Sequence, residues 1–523
     1  MFAKLRALPN WVLIVSAGLL TVAAFPPSPL GFLAYFSLIP LIILFIKDDF
    51  HLGFEKGYFF GLILNFGIMY WLAVNKGTLW YWSVLSMVAS VLFLALNYGL
   101  IGLIVGIIGR NGGQPAGIWS FPFVWAAVEY LRSFGTLGFT WNNLCYTQSR
   151  AIQLIQIVAF SGANSLSFII VLVNVLLVLS LISGTKRWLA SLPYIYCLLG
   201  IFLILEIFGG ITLSTKRPAR AARPVHVALI QPNVDPNEKW DDEAFWDVVG
   251  LLHNLTDSAC VEPRDLVVWP ESAVPAYLRH NRHQLLDAII AQITRLNTNL
   301  IAGVPDYEFT SSKKYKIYNS TFLLRPRSRR IESYQKIRLV PFGEYIPLSE
   351  VFPELDDLNL GQGNFNAGEK MRVFSIPLKV EHPANRDTVL QFHSVICYES
   401  TFPYIIREGV KMGSELLVIV SNDAWFGNNS APYLHAEIAR FRAVENRIPV
   451  VRSANTGISL ICDAYGRILS RTRFGELNWL AAVVPQGTGH TVYSRLGDWF
   501  GIINVVGSVL FLGLFLIRRK GRC

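Results

Sequence analysis

Val267-Val268-Trp269-Pro270-Glu271-Ser272 is a short apolar run that stops at a proline and carries a carboxylate just beyond it. Such a run reads as a strand that ends at the proline, which cannot donate to a ladder. Two later segments share this build. In Tyr334-Gln335-Lys336-Ile337-Arg338-Leu339-Val340-Pro341-Phe342-Gly343-Glu344-Tyr345, Lys336 lies in an alternating stretch before a Pro/Gly turn. In Ser394-Val395-Ile396-Cys397-Tyr398-Glu399-Ser400, an apolar strand ends at a cysteine. Taken singly, each has a plain reading: Glu271 as a solvated loop residue or helix cap, Lys336 as a surface lysine, Cys397 as a small buried hydrophobe. Taken together, they are the residue types that acyl transfer needs. A carboxylate removes the thiol proton and the cysteine attacks; a lysine stabilises the oxyanion and lowers the thiol pKa. Their spacing does not by itself bring them together in space.

Further β-rich runs at 225–230, 265–269, 300–304, 320–324, 388–397, 416–421, 448–452 and 457–462 alternate with helical patterns at 243–255, 283–296 and 435–446. This alternation predicts a layered α/β domain that buries its own core. Cys260, Cys397 and Cys462 are an odd number, so at least one stays outside an intramolecular disulfide. No Cys/His cluster has zinc spacing, so neither a metal nor a cofactor is expected. His435 and His393 are lesser candidates for a base paired with a cysteine. The stretch 345–368, with Pro347, Pro353, Gly361, Gly363 and Gly368, reads as a lid or as a surface insertion. Trp425 and Phe426 line an acyl pocket or pack the core.

On either side of this region the sequence changes character. Of 523 residues, 52% are hydrophobic and only 16% charged, against about 25% charged in soluble domains. A wholly water-soluble, disordered or disulfide-built chain is excluded. Apolar runs near 9–25, 30–46, 57–75, 83–108, 116–133, 155–182, 188–213 and 498–517 are each long enough to predict a span. The run 116–133 contains Glu129 and also fits a re-entrant or interfacial segment. Lys4, Arg6, Lys47, Lys56, Arg110, Lys186, Arg187 and the cluster Arg518-Arg519-Lys520-Gly521-Arg522 fall on one side of this topology. Lys76, Arg132 and Arg150 fall on the other. The basic side is cytoplasmic, which places the α/β region outside and accounts for much of the +10 charge without nucleic acid. Lys4 and Arg6 before an apolar run ending at Ala23-Ala24 have signal-peptide form, but the spans that follow favour an uncleaved first span. The expected division is 1–214, a membrane domain of seven spans; 215–495, an extracytoplasmic catalytic domain; and 496–523, a last span with a basic tail. Glu129 is expected at an interface near Arg132 rather than on a transport path, and Trp141-Asn142-Asn143 at the outer interface.

The order W-P-E-S, K-x-x-L-V-P-F-G-E-Y and C-Y-E resembles the nitrilase superfamily, whose members use a Glu-Lys-Cys triad. With seven spans before it and one after, the resemblance narrows to the apolipoprotein N-acyltransferase family and covers essentially the whole chain. It implies an α-helical bundle of about eight spans plus an extracytoplasmic α/β nitrilase-like α-β-β-α sandwich. It also implies Glu271 as base, Lys336 as the triad lysine and Cys397 as nucleophile, with Trp240, Glu344, Tyr398 and Glu399 in support or substrate binding. The implied reaction moves an acyl chain from a phospholipid, chiefly phosphatidylethanolamine, through a cysteine thioester to the amino group of an apolipoprotein's diacylglyceryl-cysteine. The implied setting is a monomer in the bacterial inner membrane with its catalytic domain on the periplasmic side. Two other functions compete. A membrane-tethered amidase would act on a small C–N substrate with water as acceptor, and a transporter or receptor would show intramembrane charged pairs or broken helices.

Overall fold

The computed structural model describes the chain except residues 1, 186–187, 215–223, 236, 238–241, 281, 310–314, 348–363, 379–388 and 521–523. The chain forms two compact units, one of Met1–Val74, Tyr81–Lys216 and Leu496–Cys523, the other of Asn75–Trp80 and Arg217–Arg495.

The second unit is built on two six-stranded sheets. The first contains β1 (Pro224–Gln231), β2 (Leu266–Val268), β3 (Asn299–Phe309), β4 (Tyr315–Leu324) and β5 (Glu332–Gln335). The second contains β6 (Val373–Pro377), β7 (Val389–Ile396), β8 (Leu416–Ser421), β9 (Val450–Ala454), β10 (Leu460–Cys462) and β11 (Ile468–Arg471), and β12 (Asn478–Pro485) returns to the first. Their orders are β12-β1-β2-β3-β4-β5 and β11-β10-β9-β8-β7-β6. Each has three parallel strands at its centre, β1-β2-β3 and β7-β8-β9, with antiparallel strands outside them. Strands covered on both faces read as unbroken apolar runs, and β2 and β8 are buried at every residue. The edge strand β11 instead alternates between half-buried and exposed.

The sheets are joined face to face, as where Ser453 Oγ of β9 donates to Ile230 O of β1 at 2.8 Å. Helices Asp242–Ala259 and His283–Arg295 cover the first sheet, packing Phe245, Leu252, Leu285 and Ile289 onto Ala228, Val267, Leu300 and Phe322. Helix Pro403–Lys411 packs on β7 and helix Ser430–Asn446 on β9. The result is an α-β-β-α sandwich. Glu271 lies just past the carboxyl end of β2, Lys336 past that of β5 and Cys397 past that of β7.

Among the described residues, five helical stretches are long and apolar enough to cross a membrane: Gly53–Val74, Trp80–Gly112, Ala163–Gly184, Trp188–Ser214 and Trp499–Ile517. Asn10–Ala24 and Gly31–Lys47 are shorter apolar helices, and helix Gln114–Leu131 contains Pro122 and Glu129. Gly53 and Gly57 let one helix lie against the backbone of Tyr98 and Gly102, where a methyl group would collide. Glu129 is buried within the unit and accepts from Trp125 Nε1 at 2.9 Å and Leu144 N at 3.0 Å. Arg132 donates to Tyr98 OH and Asn143 Oδ1, and Asn142 donates to Asn65 Oδ1. Trp141, Asn142 and Asn143 are therefore interior residues of this unit.

Candidate active site

β2 ends at Trp269, whose N donates to Ile301 O and whose Nε1 donates to Thr256 Oγ1. The chain then turns sharply: Ser272 has φ +47°, and the turn crosses β3 so closely that a Cβ on Gly303 would strike Pro270 O and the Glu271 backbone. Glu271 is thereby held, 6% exposed, over the end of the sheet. Lys336 follows β5, with its N donating to Asn319 O at 2.8 Å and its O accepting from Gly368 N at 2.7 Å. Its ammonium is 2.7 Å from Glu344 Oε1 and 3.5 Å from Glu271 Oε1. Asn319 Nδ2 donates to both carboxylates, at 2.8 Å to Glu271 and 3.1 Å to Glu344. Val340 N satisfies the other oxygen of Glu344 at 2.9 Å.

Cys397 follows β7 as the first residue of a 3₁₀ turn, Cys397–Thr401, and is partly exposed. Its φ of +51° is a left-handed conformation that costs a non-glycine residue about 1–3 kcal/mol and persists only where neighbours enforce it. Glu399 is one enforcer. Its Oε2 accepts from Ile396 N at 2.7 Å, and its Oε1 accepts from Tyr334 OH, Ile337 N and Arg338 N at 2.7, 2.7 and 3.1 Å. One buried carboxylate thus ties the cysteine turn to the segment carrying Lys336.

Burial is the largest influence on the Cys397 thiol and drives its pKa up; Glu271 adds to the rise, and Lys336 only partly opposes it. Lys336 lowers the thiol pKa as the sequence leads one to expect, but burial and Glu271 outweigh it. Burial alone would push the Lys336 ammonium down, but Glu344 and Glu271 more than reverse this and hold it charged. Burial raises Glu399 to about 7, against the pull of its donors and of Lys336.

Residues 226–491 match the carbon–nitrogen hydrolase family, and residues 17–176 match the apolipoprotein N-acyltransferase N-terminal domain. The apolipoprotein N-acyltransferase of Geobacter metallireducens is 36% identical over 98% of this chain and 96% of its own length. This chain belongs to the apolipoprotein N-acyltransferase family. The family's enzyme from Chlorobaculum tepidum is 30% identical over 95% of this chain and 94% of its own. Among solved structures, the nitrilase-superfamily protein Nit3 of Saccharomyces cerevisiae covers 50% of this chain and 90% of its own, at 20% identity and a TM-score of 0.36.

Of the residues read from the sequence, the structure of this apolipoprotein N-acyltransferase family member gathers Glu271, Lys336, Glu344, Cys397 and Glu399 into one cluster. Tyr398 is buried beside them, its ring edge-on to Phe402 at 4.9 Å. Trp240 lies outside the described residues, as do 348–363 of the 345–368 stretch. Trp425 and Phe426 are partly exposed in the turn after β8. His393 is set apart: burial lowers it to about 3, and its Nδ1 is 2.7 Å from Ser414 Oγ.

His435 does meet the cysteine, through the backbone. Its Nε2 lies 3.2 Å from Cys397 O and 3.0 Å from Ser400 Oγ, which itself donates to Cys397 O. Behind it, Nδ1 is 3.0 Å from both Asp423 Oδ1 and Arg452 Nη2, and Arg452 is 2.7 Å from Asp423 Oδ2. Burial alone would raise Asp423, but Arg452 and then His435 hold it well below the usual carboxylate range; burial and Arg452 lower His435. Donor atoms of Cys397, Asp423 and His435 fall within 4.8 Å of one another. The Arg452 guanidinium, however, already supplies the positive charge a metal would bring, so these residues fit an ion-paired network better than a metal site. Cys260, Cys397 and Cys462 are free thiols. The sequence reading overlooked Asn319, Tyr334 and Arg452. Asn319 lies inside β4, one residue before the apolar run 320–324 by which the sequence marks that strand.

Proposed function

We propose that Cys397 takes an acyl chain from a phospholipid, chiefly phosphatidylethanolamine, as a thioester and passes it to the α-amino group of an apolipoprotein's diacylglyceryl-cysteine. The observation that carries this reading is the convergence of a strained, partly exposed thiol with a carboxylate and a buried ammonium. Glu271 takes the thiol proton as Sγ bonds to the ester carbonyl carbon. The oxyanion is met by the Lys336 ammonium, which Glu344 and Asn319 hold in place. The intermediate collapses, the ester C–O bond breaks, and Glu271 returns the proton to the departing lysophospholipid alkoxide. In the second half, the amine attacks the thioester, Glu271 accepts an amine proton, and thiolate leaves to recover it. Trp240, Tyr398 and Glu399 support or bind substrate.

The proposed setting is a bacterial inner membrane crossed eight times, by residues 1–214 and 496–523, with 215–495 on the periplasmic side and the protein a monomer. The Lys/Arg bias of the short loops supports this orientation. An amidase with incidental anchors would need no family likeness in its membrane part, yet residues 17–176 carry one.

The test is intact-mass measurement after incubation with phosphatidylethanolamine. An acyl-sized, hydroxylamine-labile gain that vanishes in Cys397→Ser is expected. No adduct, together with full transfer activity in that variant, sinks the reading.

A further inference from the structure

The floor around the thiol is acidic. Glu271, Glu344 and Glu399 are all buried; the Lys336 ammonium pairs with the first two and reaches the third only through its charge. A phospholipid presenting its acyl ester to Cys397 brings a phosphodiester anion within a glycerol's length, and such a floor repels it. Only a cation at the mouth of the site would offset that repulsion.

Arg338 has the required position. It follows Lys336 by two residues, and its N donates to the same Glu399 carboxylate that braces the cysteine turn. Its guanidinium lies 4.8 Å from the centre of the Phe402 ring. Phe402 in turn meets Tyr398 at 4.9 Å and Tyr404 at 5.9 Å. Burial raises the hydroxyls of Tyr345, Tyr398 and Tyr404, and the Arg338 charge opposes that rise in all three, so the phenols are within its electrostatic reach. Arg338, Tyr345, Tyr404 and Cys397 are each partly exposed, whereas the carboxylates are buried. A guanidinium steadied on an aromatic face, with phenol donors beside it, suits a phosphate oxygen pair.

We propose that Arg338, with the hydroxyls of Tyr345 and Tyr404, binds the phosphodiester of the acyl-donor phospholipid and makes the site select charged glycerophospholipids over neutral esters. This rests on the reading of Cys397 as the acyl acceptor. The anion belongs to the donor alone, so Arg338 acts in the first half-reaction.

Thioester formation from phosphatidylethanolamine and from a nitrophenyl acyl ester, both in neutral detergent, tests it in wild type, Arg338→Gln and Arg338→Lys. The phospholipid-over-ester ratio of kcat/KM is expected to fall about ten- to a hundredfold in Arg338→Gln, mostly through KM, and less in Arg338→Lys. Transfer from a preformed thioester to the amine should fall far less. An unchanged ratio, or equal losses in both half-reactions, overturns the proposal. Inorganic phosphate, at ionic strength matched with chloride, is expected to raise the phospholipid KM of wild type but not of Arg338→Gln. If phosphate competes at Arg338 while the donor ratio is unmoved, the site takes free phosphate and the proposal fails. A wild type that forms no adduct from either donor overturns the thioester reading instead. Phosphatidylethanolamine binding to Cys397→Ser, with and without Arg338→Gln, then still reads the anion site. Weaker binding on loss of Arg338 supports it, and equal binding overturns it.

Discussion

At the site the chemistry turns on where three protons sit. Burial and Glu271 both raise the thiol pKa, which favours loss of its proton to Glu271 during attack. Glu271→Gln is therefore expected to slow thioester formation about 10²–10⁴-fold, read as adduct against time, with the fold retained by circular dichroism. Lys336→Met removes the cation between two buried carboxylates. It should slow acylation about 10²–10³-fold and also destabilise the unit by about 3–5 kcal/mol, since a buried pair is broken from one side. A shift in melting midpoint comparable to that of Glu271→Gln would contradict this. Glu399 supplies the pH dependence. With its pKa raised to about 7, it is a carboxylate above that pH and takes a proton below it. All four of its partners are donors, so protonation undoes the brace on the cysteine turn. Acylation should fall as pH drops through about 7, and Glu399→Gln should flatten that limb. Stability moves oppositely: the folded state holds this proton more tightly than the unfolded chain does. The group's contribution favours the fold below its ordinary value of 4.5 and is lost as pH rises through about 7. A melting midpoint that rises over this interval relative to Glu399→Gln would refute the assignment.

Among the elements, the strand-end turns carry the precision. The left-handed Cys397 is held from one side by Glu399 and from the other by Ser400 and His435 on its carbonyl. If His435 positions the turn, His435→Ala should lower the acylation rate about tenfold or more with little change in phospholipid KM, and His435→Gln should restore much of it. A change confined to thermal stability would mean that the Asp423–His435–Arg452 cluster only packs. The same elements explain what was legible in the sequence. β2 and β7 are central parallel strands buried on both faces, so they read as apolar runs, and Glu271 and Cys397 just beyond them are legible as candidates for chemistry. β5, β6, β11 and β12 lie at or near sheet edges. Their mixed patterns, such as Glu332-Ser333-Tyr334-Gln335, contain no comparable signal, and Tyr334 was missed with them. Asp423 and Arg452 meet across 29 residues of chain, a pairing set by the β8–β9 register that no local motif announces. Residue types carry no record of burial, so the rise that burial gives the Cys397 thiol is not legible in the sequence.

For the molecule as a whole, the open quantity is the parity of its membrane crossings. Five helical stretches are long and apolar enough to span, and the proposed topology adds Asn10–Ala24, Gly31–Lys47 and Gln114–Leu131. The last decides the sidedness of the catalytic unit: with seven crossings before residue 214 it lies opposite the N-terminus, with six on the same side. Glu129 and Pro122 in that helix weigh against a span if they face lipid. Glu129 instead is buried in the interior of its unit, where its Oε1 accepts from Trp125 and Leu144, and Pro122 is buried, so neither faces hydrocarbon. The short loops give the same parity, with Arg110 on one side of this helix and Arg132 on the other. Alkaline phosphatase, active only outside the cytoplasm, fused after residues 110, 150, 187 and 214 should read inactive, active, inactive and active. If residues 114–131 do not cross, the fusions at 110 and 150 give the same reading and the one at 214 is inactive. The cysteine would then stand on the cytoplasmic side, and the proposed periplasmic orientation would be wrong.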